Sequence, residues 1–278
     1  MRISPKYTQI VAITILGAAT VFTVAILIFI IIFVLEKGLP ILSFNFLFTN
    51  PTDMGRSGGI LPILIGTVLL PVLAIIVAAP LGIGTSVYLV EFTHESRITR
   101  LIRFGTDCLA GVPSIIFGLF GFIFFVTILG MGWSIMSGGL SLAFMILPTI
   151  IRTSEEAIRS VPKAYREVSF SLGASRWQTV RKVVLPNALP GVVTGVVLGV
   201  GRSIEETAVV IFTAGSSLLI PTSLFDSTRT MAVHFYILAR EGLSMDNAYG
   251  TAASLIIAVL IVNLSAYWMM HRFIARRN

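Results

Sequence analysis

Charged side chains are scarce in this sequence. Asp, Glu, Lys and Arg make up 12% of its 278 residues, whereas hydrophobic residues make up 55% and the mean hydropathy is +0.93. This composition lies well outside the range of soluble globular domains. The scarcity is also patterned, because several long stretches contain no Asp, Glu, Lys or Arg at all, among them residues 8–35, 57–90, 108–151, 183–201 and 248–270.

Metal-ligating and nucleotide-binding signals are also missing. Cys108 is the only cysteine, which excludes an internal disulfide and a cysteine-cluster metal site. The three histidines, His94, His234 and His271, are far apart and show no ligand spacing, so we expect no metal and no cofactor. No glycine is followed by lysine, which removes the phosphate-binding element of a nucleotide-binding loop. We therefore expect a non-catalytic chain that does not hydrolyse ATP by itself in that way.

The uncharged stretches predict membrane-spanning helices. A helical span needs roughly 20 apolar residues, and residues 108–151 are long enough for two. The first apolar run is too long for a cleavable signal and is interpreted as a retained helix. The sequence thus predicts an all-α integral membrane protein with a single domain, 1–278. Its six transmembrane helices are predicted at about 10–35, 60–90, 106–130, 135–152, 186–214 and 247–271.

Basic residues predict how these spans are oriented. With a cytoplasmic N-terminus, fifteen of the 20 Lys and Arg residues fall on the cytoplasmic side. This is the positive-inside pattern of cytoplasmic membranes, and it places both termini in the cytoplasm. It also accounts for the net charge of +7 without nucleic acid as a partner.

The polar segment 153–185 has an ordered internal pattern. Ala164–Leu172 contains no Gly or Pro and is predicted to be helical, Gly173 suits a sharp turn, and Ser175 can cap a second helix. Glu167 is followed by Gly173 six residues later, then by nine residues, and then by an aliphatic residue, any residue, Leu and Pro186. This spacing resembles the Glu-Ala-Ala loop of ABC importer permeases, with Val168 and Ser169 in place of the two alanines.

The resemblance implies a type I ABC importer permease fold in which 153–185 forms a coupling helix that docks onto a cytoplasmic ATPase. Exposed aromatic residues on a polar loop often anchor interfaces. The alternative is an ordinary basic loop whose aromatic residues lie at the lipid interface. The candidate coupling residues are Glu167, Gly173, Tyr165, Phe170, Leu172, Trp177 and Pro186.

Three charged residues interrupt the fifth predicted span. Arg202 lies about 24 Å along a helix that starts near Pro186, so it should face protein or water and not lipid. Arg202 and Glu206 are four residues apart and can pair, whereas Glu205 points elsewhere. A guanidinium suits an oxyanion, which makes Arg202, Glu206, Glu205 and, at the end of the fourth span, Arg152 candidates for a substrate pathway. The alternatives are a structural ion pair for Arg202 and a positive-inside anchor for Arg152.

Further motifs extend the resemblance over nearly the whole chain. Residues 57–60, 81–84 with 88–91, 109–115, and Arg202 with Glu206-Thr207 look like the permeases of phosphate-specific importers. Residues 152–157 and 206–208 are more similar to the PstA type than to the paralogous PstC type. Glu205 is a departure, because the family usually has a small residue there.

This family implies ATP-driven phosphate import by alternating access. The implied partners are a second, PstC-like permease in a heterodimer, two PstB-like cytoplasmic ATPase subunits, a PstS-like external phosphate-binding protein and membrane lipid. The alternatives are the PstC-type subunit, a sulfate or molybdate permease, a homodimer, a passive anion channel and a membrane-embedded enzyme.

Overall fold

The computed structural model describes residues 5–275, and most of them are helical. The helices are α1 (Pro5–Gly38), α2 (Phe44–Phe48), α3 (Leu61–Val87), α4 (Arg97–Ala110), α5 (Ser114–Gly121), α6 (Ile135–Ser160), α7 (Lys163–Ser171), α8 (Arg176–Thr179), α9 (Leu185–Glu205), α10 (Ala208–Thr213), α11 (Met231–Arg240) and α12 (Met245–Ala275). One short hairpin pairs β1 (Pro51–Thr52) with β2 (Ser57–Gly58). Five helical spans are long and apolar enough to cross a membrane, and the bent pair of α4 and α5 gives a sixth candidate. The prediction of an all-α membrane fold is confirmed.

Three stretches of π-helix extend the regular helices. Tyr88–Phe92 continues α3, Phe122–Ile128 continues α5, and Val180–Val184 joins α8 to α9. Helical residues therefore run without a break from Arg176 to Glu205. The second half of the predicted 153–185 loop is thus the start of the fifth span.

The core of the bundle lies between α3 and α6. Leu70, Leu142, Ile146 and Ile150 are completely buried there. The two backbones come close at one end, where a Cβ on Gly82 would lie 2.7 Å from the side chain of Ile150. At the same level the Ser86 hydroxyl donates to the carbonyl of Ile151 over 2.7 Å. These contacts make α3 and α6 a tightly packed pair.

Glycines spaced four residues apart let α9 pack directly on α6. A Cβ on Gly191 would lie 2.5 Å from Ala157, and one on Gly195 would overlap the side chain of Thr153. Gly199 continues the same stripe toward the far end of α6. Small residues at this spacing allow membrane helices to approach closely, so the packing itself is the main attraction between them.

The helix α1 has little contact with the rest of the chain. None of the residues in its apolar window is buried. It touches the bundle only near its end, where Gly38 packs on Tyr249 and Ala253 of α12, and where Phe33 contacts the Tyr249 ring. Apolar side chains cover the remainder of α1 and are exposed in the single chain.

The third span differs from its predicted bounds. Residues 106–110 belong to α4, and the axis turns by 102° between α4 and α5. Pro113 explains the break, since proline has no N–H to donate and disfavours helical geometry in the residue before it. The sole cysteine, Cys108, is exposed in the last turn of α4. The helix of this span therefore resumes in a new direction at Ser114.

The fourth and fifth spans also differ from the prediction. The helix α6 continues to Ser160, so its last two turns occupy what was predicted as the beginning of the 153–185 loop. The predicted span 186–214 is interrupted after Glu205, because Glu206 has extended backbone geometry. Its carboxylate accepts hydrogen bonds from the backbone N–H groups of Ala208 and Val209 at 3.0 and 3.3 Å. Glu206 thereby caps the N-terminus of α10 and does not continue α9.

Candidate coupling and translocation sites

The α7–α8 segment forms two short helices joined at Gly173, as predicted. Gly173 has φ of +78°, a backbone conformation that glycine adopts without steric cost. The Gly173 N–H donates to the carbonyl of Phe170 at 2.9 Å, and the Ala174 N–H to that of Ser169 at 3.1 Å. This pair of bonds closes the C-terminus of α7.

Two side-chain contacts fix α8 against α7. Ser175 caps α8 as predicted, in a capping box in which its hydroxyl accepts from the Gln178 N–H and the Gln178 side chain accepts from the Ser175 N–H. The hydroxyls of Ser169 and Thr179 are buried and hydrogen-bonded at 2.8 Å. The turn therefore has a defined shape before any partner binds.

Within residues 5–275, one side of this segment is largely exposed. Tyr165, Phe170 and Trp177 are about half exposed, and Leu172 is 82% exposed. No heavy atom lies within 4 Å of the position that a Cβ on Gly173 would occupy. We call Tyr165, Glu167, Phe170, Leu172, Gly173 and Trp177 the α7–α8 surface. Pro186, the remaining candidate, lies in the first turn of α9, the helix that follows.

Sequence reasoning missed an ion pair behind this surface. The Arg166 guanidinium of α7 bonds the Glu91 carboxylate at the end of α3, with Nη2 to Oε1 at 2.7 Å. Only 15% of the Arg166 side chain and 7% of the Glu91 side chain are exposed. Glu91 was part of a recognised motif and Arg166 adjoins Glu167, but 75 residues separate the two. Spacing along the chain gives no signal for such a pair.

Arg152 lies in a charged cleft between α4 and α6. The cleft has a volume of about 310 Å³ and is lined mainly by three arginines and three acidic residues. Arg152 approaches Asp107 at 3.8 Å and Glu156 at 3.5 Å. Arg103 and Arg159 share Glu155 at 2.9 and 2.7 Å, so every arginine of this cleft has an acidic neighbour.

Arg202 and Glu205 are exposed near the end of α9, and Glu206 is half-buried. No ion pair between Arg202 and Glu206 is present among residues 5–275, because Glu206 has left the helix and caps α10. The expected pairing of Arg202 with Glu206 is therefore wrong for this conformation. Charged side chains on a membrane helix avoid lipid, so this face of α9 is directed at water or at another protein.

The structure does not bring Arg152 and Arg202 into one site. Gly195 packs on Thr153, the neighbour of Arg152, and Arg202 lies seven residues further along α9. At 1.5 Å per residue the two arginines are about 10 Å apart along the bundle axis. They mark two levels of the molecule, with Arg152 nearer α7 and Arg202 nearer α11.

Another arginine, Arg229, lies at the α11 end of the bundle and, unlike Arg152 and Arg202, is buried. Arg229 donates through Nε to the carbonyl of Ser216 at 3.0 Å, and its Nη1 lies 3.1 Å from Nδ1 of His234. Burial lowers the pKa of Arg229. Burial and the neighbouring Arg229 lower the pKa of His234 from 6.5 to about 3, so His234 is neutral and accepts from the guanidinium. Within residues 5–275, no cluster of His, Cys, Asp or Glu could hold a metal ion.

Comparison with known proteins identifies the family. The model of the binding-protein-dependent transport system inner membrane component matches residues 78–278. The chain belongs to this family of ABC importer permeases. It is 34% identical over 280 residues to the probable ABC transporter permease protein YqgI of Bacillus subtilis, covering 95% of both chains. It is also 37% identical over 225 residues to the phosphate transport system permease protein PstA 1 of Mycobacterium tuberculosis, covering 80% of this chain and 73% of that protein.

Solved structures show the same permease fold. A bacterial ABC transporter that imports the acidic polysaccharide alginate matches with a TM-score of 0.69 at 17% identity, covering 96% of this chain and 98% of that one. The MetNI methionine ABC transporter in an inward-facing conformation matches with a TM-score of 0.66 at 18% identity, covering 77% and 95%. The chain is thus a multi-pass permease subunit with the type I importer fold, as predicted.

Proposed function

We propose that this permease is a PstA-type subunit that moves inorganic phosphate across the cell membrane. The observation that carries the proposal is the similarity to several proteins named PstA, among them those of Mycobacterium tuberculosis at 37% identity and Xylella fastidiosa at 33% over 86% of this chain. The exposed Arg202 supports it, because it lies on a span, α9, whose only other charged residue is Glu205, and guanidinium groups bind phosphate oxygens through paired N–H donors.

The partners follow from the faces that the chain leaves uncovered. The α9 face with Arg202 and Glu205 would be directed at a second, PstC-like permease and the path between the two subunits. The α7–α8 surface would bind one of two PstB-like ATPases in the cytoplasm, with both termini on that side. Arg2, Arg276 and Arg277, which contribute to that orientation, lie outside the described residues. A PstS-like protein would deliver phosphate at the α11 end.

The two levels of arginine fit a path with successive cationic contacts. Phosphate would first meet Arg202 and then the cleft at Arg152. The contacts of Arg152 with Asp107 and Glu156 are long, at 3.8 and 3.5 Å, so its guanidinium could exchange them for bonds to phosphate oxygens. ATP-driven closure of the ATPases would move the α7–α8 surface and switch the spans between outward and inward access. Phosphate delivery and nucleotide would each favour one of these two states.

Uptake by the reconstituted complex tests this proposal. Proteoliposomes with ATP on the ATPase side would be given labelled phosphate, sulfate or molybdate, with the wild-type chain, Arg202→Gln, or Arg97→Gln as a control. Arg97 is an exposed arginine at the start of α4, outside the proposed path and away from the α11 end. We expect ATP-dependent, phosphate-selective uptake that Arg202→Gln lowers about 10- to 100-fold, since a hydrogen bond to a charged group contributes roughly 1.5–3 kcal/mol. Arg97→Gln should transport normally.

Each other outcome contradicts a defined part of the proposal. Selective uptake of sulfate or molybdate would replace the substrate and keep the architecture. Phosphate flux without ATP or the ATPase subunits would indicate a passive channel. Normal uptake by Arg202→Gln would remove Arg202 from the path and leave it a structural role.

A further inference from the structure

The contact between Arg166 and Glu91 joins the α7–α8 segment to the end of α3. Two nitrogens of the guanidinium bond Glu91, with Nη2 to Oε1 at 2.7 Å and Nε to Oε1 at 3.0 Å. Both side chains are largely withdrawn from solvent. A two-nitrogen contact of this kind fixes orientation as well as distance, and a partly buried one is screened little by salt.

The same guanidinium also binds the end of α6. Nη1 donates to the carbonyl of Val161 at 2.6 Å, and Nη2 donates to that of Ile158 at 2.9 Å. The last carbonyls of a helix lack the regular partners of its interior, and that of Ile158 otherwise accepts a long bond of 3.4 Å from the Val161 N–H. Arg166 therefore supplies a shorter, charged donor at the end of α6. One side chain of α7 therefore holds the ends of two spans.

A second contact lies beside the first. Phe92, which follows Glu91, meets the ring of Trp177 on α8 with 6.4 Å between ring centroids. Consecutive residues at the end of α3 thus bind both helices of the segment. Chain connectivity links the segment to α6 and α9. Its attachment to α3 consists of these side chains and of the apolar cluster that includes Val87, Val161 and Val180.

The consequence for motion follows from the packing of α3 on α6. These helices are held together by the Gly82 contact with Ile150 and by the hydrogen bond from Ser86 to Ile151. A displacement of α7 that is transmitted through Arg166 would move α3 and α6 as one unit. Without Arg166, the displacement would still reach α6 and α9 through the chain, but the polar contact that fixes the orientation of α7 against the ends of both α3 and α6 would be lost.

We propose that Arg166 and Glu91 form the joint through which movement of the α7–α8 surface is transmitted to the α3–α6 pair. Arg166 is a positioning residue, because it touches neither substrate nor nucleotide. This inference rests on the proposed coupling function, and it adds which spans are driven and by which contact.

The test compares coupling with assembly in the complete complex of both permeases and the ATPase subunits. The variants are Arg166→Gln, Glu91→Gln, their double variant and Arg166→Lys, with Lys163→Gln as a control. Lys163 is exposed on the same helix, so its replacement removes an equal charge without removing the joint. The quantities measured are retention of the ATPase subunits, phosphate imported per ATP hydrolysed, and hydrogen exchange of residues 88–92 with and without a non-hydrolysable ATP analogue.

We expect both single variants to retain the ATPase subunits and to lower phosphate imported per ATP about tenfold, within the 5- to 150-fold range typical of coupling between sites. The double variant should be no worse than either single one, because the two residues act as a unit. Arg166→Lys should be intermediate, since one ammonium cannot reproduce the fork that binds Glu91 and both carbonyls. The nucleotide-dependent change in exchange at residues 88–92 should disappear in Arg166→Gln and persist in Lys163→Gln.

The opposite results are equally clear. The proposal would be overturned if Arg166→Gln imported as much phosphate per ATP as the wild type. It would also be overturned if this variant lost uptake and hydrolysis equally because the ATPase subunits had dissociated. In either case Arg166 would have a purely structural role. If Arg166→Gln does not fold, a wild-type ratio in Arg166→Lys would overturn it instead. If the wild-type complex imports no phosphate, the proposed substrate fails, while the hydrogen-exchange comparison still decides the joint.

Discussion

Substitutions at Gly173 distinguish two roles of this residue, namely the conformation of the α7–α8 turn and the contact of that turn with a partner. At φ of +78°, an alanine would adopt the left-handed conformation, which costs an L-residue roughly 1–2 kcal/mol. Since no heavy atom lies within 4 Å of the added Cβ, no steric clash within the chain adds to this. We expect Gly173→Ala to lower the free energy of unfolding by that amount, measured by thermal unfolding of the detergent-solubilised protein.

Asparagine at the same position removes most of that strain, because Asn tolerates the left-handed region. Gly173→Asn should therefore unfold nearly like the wild type while placing a side chain on the α7–α8 surface. Gly242 is the matched control, with φ of +62° and equally open surroundings at the α11 end. We expect Gly173→Asn to weaken binding of the ATPase subunit in a titration, and Gly242→Asn to leave it unchanged. Equal affinities for the two variants would refute the docking role of this turn.

Two further predictions concern packing and pH. Gly195→Ala should destabilise the protein by roughly 1–3 kcal/mol, because the added Cβ would overlap Thr153. Gly84→Ala is the control, since a Cβ there has no heavy atom within 4 Å, and it should not destabilise. Equal melting temperatures for the two variants would contradict the close contact of α6 with α9. Unfolded His234 binds a proton below about pH 6.5, but folded His234 binds one only near pH 3. Protonation between these two pH values therefore favours the unfolded state, so the free energy of unfolding is highest above pH 6.5 and falls as the pH drops from 6.5 toward 3. His234→Gln can accept from Arg229 without titrating, and its unfolding should depend less on pH between 6.5 and 5; an unchanged dependence would contradict the burial of a neutral histidine.

Local patterns were sufficient to predict the elements that depend on neighbouring residues. The α7–α8 turn follows from Gly173, Ser175 and a Gly-free helix, all within one short segment. The long uncharged stretches likewise predicted the helical spans, since burial in lipid requires continuous apolar surface. The family followed from the spacing of Glu167, Gly173 and Pro186, which is also a local property.

Features that depend on distant residues were not predictable in the same way. The pairing of Arg166 with Glu91 needs the packing of α7 beneath α3, which no local pattern specifies. The break at Glu206 arises because its carboxylate binds the N–H groups of the next helix, whereas spacing alone favoured pairing with Arg202. The turn of 102° at Pro113 was not predicted within the span 106–130, because its angle depends on how α4 packs against α6.

The exposed position of Cys108 gives the molecule a natural attachment point for a spectroscopic probe. It is the only thiol in the chain, and it lies in the last turn of α4, next to Asp107 of the charged cleft. A maleimide dye would therefore label each copy at one known place without any engineered cysteine. Its emission would follow the surroundings of the α4 bend in real time, and the rate of labelling would compare solvent access between nucleotide states.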